Sequence, residues 1–316
     1  MFLIWAKHLR HAGYGEHNSI WINIDETALP LYVGGRHGNI VRLPKRIGKP
    51  FSTKATLAER RAHVTLLATV CNDSDLQKHM PQVLMPNTVG KKRLWRAAET
   101  VVAETPAVCI EQTTTGWITA DLLVKAMRRI KAVCTAHAPE KHIVLVMDGH
   151  STHVTKEVLR RARAMGMRPL IIPAKLTPQL QVLDVYVFSQ FKLALHRAHT
   201  AALLGSDSGT QDFIAWVVTT MRVIQDVFAN FNACEAFARV GQSGHVAPLR
   251  QELLSFAPNA WTPPPRQLSQ DELWFLLGRR LRGIHRQMFT TWTHYLPVPP
   301  PVAAPRLKRL HSKTTL

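Results

Sequence analysis

At 316 residues the chain is long enough for about two domains or one elaborated α/β domain, and 46% apolar with 19% charged residues excludes wholesale disorder. Forty Lys and Arg against 21 Asp and Glu give a net charge of +19, which points to polyanionic partners, nucleic acid first and anionic membrane surfaces second. No run approaches the roughly 20 apolar residues of a transmembrane helix, Lys7 ends the apolar opening too early for a secretory leader, and the scattered Cys71, Cys109, Cys134 and Cys234 argue against a zinc site or disulfide framework. A soluble, intracellular protein with free thiols and no membrane partner is expected.

In chain order, Ser19 to Asp25 alternates, with Ile20, Ile22 and Ile24 on one face and Ser19, Asn23 and Asp25 on the other, as a strand does. His63 to Cys71 reads as a second strand and Val108 to Ile110 as a short third. Thr119 caps a predicted helix whose apolar positions Leu122, Leu123, Ala126, Met127, Ile130 and Val133 recur at helical spacing. The uninterrupted run Ile143 to Met147 predicts a central strand covered on both faces, ended by Asp148 and Gly149. A helix over Val154 to Met165 closes at Gly166. Pro169 to Ile172 is the next buried strand, and Val185 to Leu203 again reads as helix. Strands first, then alternating strands and helices, imply one mixed α/β sheet with helices packed against it. The expected organisation is a lead-in over 1–18, the α/β domain over 19–204 and a mostly helical extension over 205–260. A Pro-rich linker, basic helix and basic tail occupy 261–316.

Three stretches place an acid where such a fold could present it. Asp25 ends the first strand, Asp148 follows the buried strand, and Asp184 opens a helix after Leu176-Thr177-Pro178-Gln179-Leu180-Gln181-Val182-Leu183. Singly, each is more often a turn former or a cap. Together, three carboxylates converging on one sheet edge cannot all stay ionised without cations, and open sets of hard oxygen ligands suit Mg²⁺ or Mn²⁺.

These residues carry a resemblance. Ile24-Asp25-Glu26-Thr27, Leu145-Val146-Met147-Asp148-Gly149-His150-Ser151-Thr152-His153, and Ile172-Pro173-Ala174 with Thr177-Pro178-Gln179-Leu180-Gln181, Leu183-Asp184-Val185, Phe188 and Lys192 resemble the DDE superfamily endonuclease domain of pogo/mariner-type transposases. Asp148 and Asp184 are 184 − 148 = 36 positions apart, within the family's spacing, and Gly116-Trp117-Ile118-Thr119 is also family-like. The resemblance implies an RNase H-like mixed sheet flanked by helices. It also implies Asp25, Asp148 and Asp184 as the catalytic, metal-binding triad for two Mg²⁺ (or Mn²⁺) ions and DNA (transposon ends in the family) as partner; a homodimer is a further expectation, and Arg306-Leu307-Lys308-Arg309, read as a nuclear import signal, makes the nucleus the expected compartment. His153 matches a family histidine that touches phosphate or positions a ligand, the alternative being a loop cap. Gln181 orients the third acid or satisfies loop backbone. Glu26 is set aside because it alternates to the opposite strand face from Asp25, and surface solvation is expected for Glu111.

Two features depart from the family. Val182 stands where Pro is common, and the 24 residues ahead of Asp25 leave no room for the helix-turn-helix modules that read element ends. DNA contact is expected instead from basic loops, Arg36, Arg42, Lys45, Arg46 and Lys49 in one cluster and Lys91, Lys92 and Arg93 in another. Such groups neutralise phosphates without reading bases. The expected activity is metal-dependent DNA strand cleavage and transfer. The rivals are a transposase-derived DNA-binding protein that no longer cuts and, more weakly, a nuclease acting on RNA–DNA hybrids.

Overall fold

The computed structural model describes residues 18–30, 63–86, 96, 98–113, 116–172, 176–205, 213–242 and 251. All lie in a unit spanning Met1–Pro264; a second unit, Pro265–Leu316, contains no described residue. The expected linker, basic helix and tail therefore lie outside the described residues, as does the lead-in apart from Asn18.

The elements are β1 (Ser19–Pro30), β2 (His63–Cys71), α1 (Ser74–Gln77), β3 (Gln82–Pro86), β4 (Val108–Ile110), α2 (Ala120–His137), β5 (His142–Met147), α3 (Lys156–Ala164), β6 (Met167–Ile171), α4 (Thr177–Leu180), a π-turn (Leu183–Val187), α5 (Phe188–Leu204), α6 (Phe213–Ala229) and α7 (Ala233–Arg239). Six strands form one mixed sheet in the order β4-β3-β2-β1-β5-β6. Here β2 is antiparallel to β1 and β3, while β1, β5 and β6 run parallel, as do β3 and β4. This is the mixed, helix-flanked sheet that the sequence leads one to expect.

The centre of the sheet explains its hydrophobic code. Ile20, Trp21, Ile22 and Ile24 in β1 and Val144 to Met147 in β5 are fully buried on both faces, so alternation in β1 separates core from site rather than core from solvent. Thr119 Oγ accepts the backbone N–H of Leu122 at the start of α2, and α2 buries Leu123, Val124, Ala126, Met127, Ile130 and Cys134. Gly166 closes the α3 end with φ +75°, a left-handed value that favours glycine. Helices α5 and α6 pack against each other, Phe191 against Phe228 with ring centroids 5.5 Å apart. Gln225 of α6 accepts the backbone N–H of Ala107 beside β4. Among the described residues, no helix is long and apolar enough to cross a membrane.

Several elements differ from the sequence reading. Strand β1 continues to Pro30 because β2 pairs with it from Ile22↔Cys71 to Pro30↔His63. Strand β3 escapes hydropathy because it is five residues long and bounded by prolines. It is held by Gln82, whose side chain takes both the N–H and the C=O of Thr69, at 2.9 and 2.7 Å. The helix expected from Val185 begins as a π-turn, in which the Phe188 N–H donates to Leu183 O. One extra residue is thereby inserted at Asp184, a rare distortion concentrated at functional positions.

Asn23 joins three elements at this point. Its amide donates to Val146 O of β5 at 3.1 Å, and its carbonyl accepts the N–H of Leu183 at 3.0 Å, all in the fully buried interior. Asn23→Ala strands a buried C=O and a buried N–H and is expected to cost about 2–6 kcal/mol at roughly 1–3 per orphaned group. Urea unfolding of both proteins measures this; a loss below about 0.5 kcal/mol would remove Asn23 as the tie between β1, β5 and the Asp184 turn.

Candidate active site

The parallel pair β1–β5 ends at the register Asn23↔Val146. Asp25 and Asp148 each lie two residues further along: Asp25 within β1, opposite Ala68 of β2 and on the face that Asn23 occupies, and Asp148 just past the end of β5. The third-acid segment is folded onto the same place. The Leu183 N–H is held by Asn23, and Gln181 donates its amide to Ile24 O at 3.2 Å. Gln242, beyond α7, donates to Leu180 O at 2.5 Å. The expected Gln181 contact with the third acid is thus a contact with the backbone next to the first, and its buried Oε1 has no hydrogen-bond partner among the described residues. Val182 has φ −54°, close to the angle proline imposes, so the turn keeps a proline-like backbone without the proline.

The electrostatics register the convergence. The Asp25 carboxyl is pushed up from its ordinary 3.8 to about 8, first by burial and then by the charges of Asp184, Glu26 and Asp148, opposed by the backbone N–H of Glu26. Asp25 Oδ1 accepts that N–H at 2.8 Å, where β5 no longer offers a partner. Asp184 is exposed. Burial and Asp148 raise its pKa, while the Lys192 ammonium one turn into α5 opposes them. Lys192 lies over the Phe188 ring, its Nζ 5.8 Å from the centroid.

Asp148 differs. Burial pushes its carboxyl up, but the His153 side chain, the His150 N–H and the charges of both imidazoles outweigh this and hold it below the usual range. His153 is fully buried, its Nδ1 2.5 Å from Asp148 Oδ1 and its Nε2 2.9 Å from Glu26 Oε1. Burial disfavours its charge, yet the bonds to Asp148 and Glu26 and their charges raise its pKa to about 10. The sequence reading missed Glu26. Alternation does turn it away from Asp25, but the turn over 148–153 wraps past the end of β5 and brings His153 to it. Glu111 is also not merely solvated. Its carboxylate is paired with Lys125 at 2.7 Å and with Arg129, tying β4 to α2 away from the acids.

Among the described residues, no group of three or more His, Cys, Asp or Glu side chains is placed to hold a metal ion. What the three acids share is electrostatic reach at one end of the sheet. As a donor set they fit a hard divalent cation, being oxygen ligands whose mutual repulsion a cation relieves. The basic residues expected to contact DNA (Arg36, Arg42, Lys45, Arg46, Lys49, Lys91, Lys92 and Arg93) lie outside the described residues.

The family profile described as DDE superfamily endonuclease matches residues 62–237, more than half of the 316-residue chain. The chain belongs to that family. The match contains Asp148 and Asp184 and begins after Asp25. The human protein described as "Pogo transposable element with KRAB domain" is 26% identical over 162 residues, covering 47% of this chain and 26% of that protein. Its mouse counterpart is 26% identical over 144 residues, covering 42% and 24%. The chain thus spans about a quarter of the length of these relatives. A solved structure described as "Mos1 transposase paired-end complex with left transposon end" aligns over 77% of this chain and 60% of that one, at 12% identity and a TM-score of 0.39.

The site makes stability depend on pH in a stated direction. Because the folded state holds the Asp25 proton to about pH 8 and the unfolded chain releases it near 3.8, stability falls as pH rises between those values. His153, with its pKa raised from 6.5 to about 10, adds stability that is complete below 6.5 and lost as pH rises through 10. In EDTA the melting temperature should therefore decline from about pH 5 to 8. Asp25→Asn should flatten the decline below pH 6.5 and melt higher at pH 8, retaining only the His153 limb. Parallel curves for the two proteins would show that Asp25 ionises normally.

Proposed function

We propose that this chain is a transposase-derived DDE endonuclease that cuts DNA strands and transfers them, with Asp25, Asp148 and Asp184 as the metal-holding acids. The observation that carries this reading is electrostatic: Asp25, within β1 just past its pairing with β5, has its carboxyl driven to about 8 by burial and by the charges of Asp184, Glu26 and Asp148. A fold gains nothing in stability from burying carboxylates against one another, and such costs concentrate where function requires them.

Two Mg²⁺ or Mn²⁺ ions held there would activate the attacking oxygen and offset charge on the leaving one. The chain's own side chains do the rest. Asp25 would bind a cation only as the carboxylate, Asp148 would offer the oxygen that His153 does not hold, and Asp184 stands exposed at the π-turn. Lys192, facing Asp184, supplies positive charge at the rim where a phosphate of the substrate would lie. The net charge of +19 favours DNA as that substrate, and family membership favours it independently. Backbone phosphates are assigned to the basic clusters Arg36, Arg42, Lys45, Arg46 and Lys49 and Lys91, Lys92 and Arg93, the nucleus is the proposed compartment, and a homodimer is the proposed assembly.

Supercoiled plasmid tests the catalytic assignment. Nicking is expected with Mg²⁺ or Mn²⁺ and not with Ca²⁺, whose longer, looser coordination misplaces the reacting oxygens. Asp148→Asn should abolish nicking while leaving DNA binding intact. Binding without nicking under every metal would establish the non-cutting alternative, and undiminished nicking by Asp148→Asn would move the site elsewhere. Separately, changing Arg42, Lys45, Arg46 and Lys49 together to Ala should flatten the slope of log affinity against log salt, by about 0.9 for each phosphate no longer neutralised. An unchanged slope would assign those four to solubility.

A further inference from the structure

His153 and Glu26 lie outside the acid triad, yet their bonding is more constrained than that of any of the three acids. His153 is completely enclosed, and each ring nitrogen meets a carboxylate oxygen, Asp148 Oδ1 at 2.5 Å and Glu26 Oε1 at 2.9 Å. Carboxylates only accept, so both nitrogens must donate and the ring is fixed from both sides. Asp148 Oδ1 has no remaining freedom either, since it also accepts the His150 N–H at 3.0 Å. One oxygen of Asp148 is thus committed to the protein, while the side chain as a whole keeps a quarter of its surface open.

We infer that Glu26 and His153 form a positioning pair for Asp148: Glu26 anchors the imidazole, the imidazole holds Oδ1, and Oδ2 alone is presented to the cation and substrate. The inference rests on the three-acid reading above for what Oδ2 faces. For the pair itself it rests only on the two hydrogen bonds and the burial. A histidine that merely capped its loop would need one partner from that loop. His153 reaches instead to Glu26 on β1, a strand laid down 127 residues earlier. Glu26 sits beside Asp25 in the chain, so one dipeptide contributes to the site from both strand faces: Asp25 directly, and Glu26 through His153. Outer partners of this kind commonly change metal affinity by about 10–100-fold when removed.

The test uses the full chain and Mn²⁺ as probe, with affinity read by electron paramagnetic resonance and ring protons read by NMR on ¹⁵N-histidine-labelled protein. Unaltered protein should show two strongly downfield N–H resonances from one imidazole. Glu26→Ala should weaken Mn²⁺ binding about 10–100-fold and broaden or abolish the resonance of the Asp148-bonded proton, although Glu26 does not touch Asp148. Glu26→Gln, which keeps an acceptor oxygen, should restore most of both. His153→Ala should weaken Mn²⁺ binding as Glu26→Ala does, and the double variant should be no weaker than His153→Ala alone, because Glu26 acts only through the ring. Mn²⁺ affinity equal to that of the unaltered protein in Glu26→Ala, or losses that multiply in the double variant, would overturn the inference. If the unaltered protein takes up no Mn²⁺ at all, the three-acid reading fails. The NMR arm still decides the pair: an Asp148-bonded resonance unmoved by Glu26→Ala refutes it, and one abolished and then restored by Glu26→Gln sustains it.

Discussion

Mutual repulsion among acidic side chains is the constraint around which this part of the molecule is arranged. Asp148, Asp184 and Glu26 all bear on Asp25, and burial first and these charges second make it keep its proton to about pH 8. Left alone, such a group would splay apart. It is held by neutral and cationic partners placed between the acids: Asn23 fastens β1 to β5 and to the Asp184 turn, His153 stands between Asp148 and Glu26, and Lys192 faces Asp184. The central strands are buried on both faces, which makes their ends stiff enough to sustain this.

The rest of the described fold serves the same end. Helix α6 looks chemically silent in sequence, but it buries Trp216, Met221, Ile224 and Phe228 and packs on α5, which begins at the π-turn of Asp184. Past α7, Gln242 reaches back to Leu180 immediately before Gln181. The segment in which the sequence offers no chemistry therefore backs the loop that carries the third acid. Catalytic groups on loops gain precision from this kind of support by rigid elements.

Much of this was legible in the residues. The run Ile143 to Met147 ending in Asp148, the alternation of β1 ending near Asp25, and the Thr119 cap are local signals, and local signals survive folding. The parallel pairing of β1 with β5 then brings the first two acids level. What stayed hidden depends on long-range register. Asn23 reads as an ordinary outward polar residue until β5 and the Leu183 turn stand on either side of it. Glu26 is correctly assigned to the other strand face, but nothing in its neighbourhood announces that a histidine 127 residues away will bond to it. The π-turn is invisible because one inserted residue barely disturbs a hydrophobic period, and Glu111 looks solvated until Lys125 and Arg129 close on it.

Whether these acids form a cation site is met most directly by anomalous diffraction from crystals soaked in Mn²⁺. Anomalous peaks are expected bounded by Asp25, Asp148 and Asp184, with Asp148 bound through the oxygen that His153 does not hold, and those peaks should vanish in Asp148→Asn crystals. Manganese found only elsewhere on the protein, with the three carboxylates unchanged and Asp25 still keeping its proton up to about pH 8, would contradict the cation site.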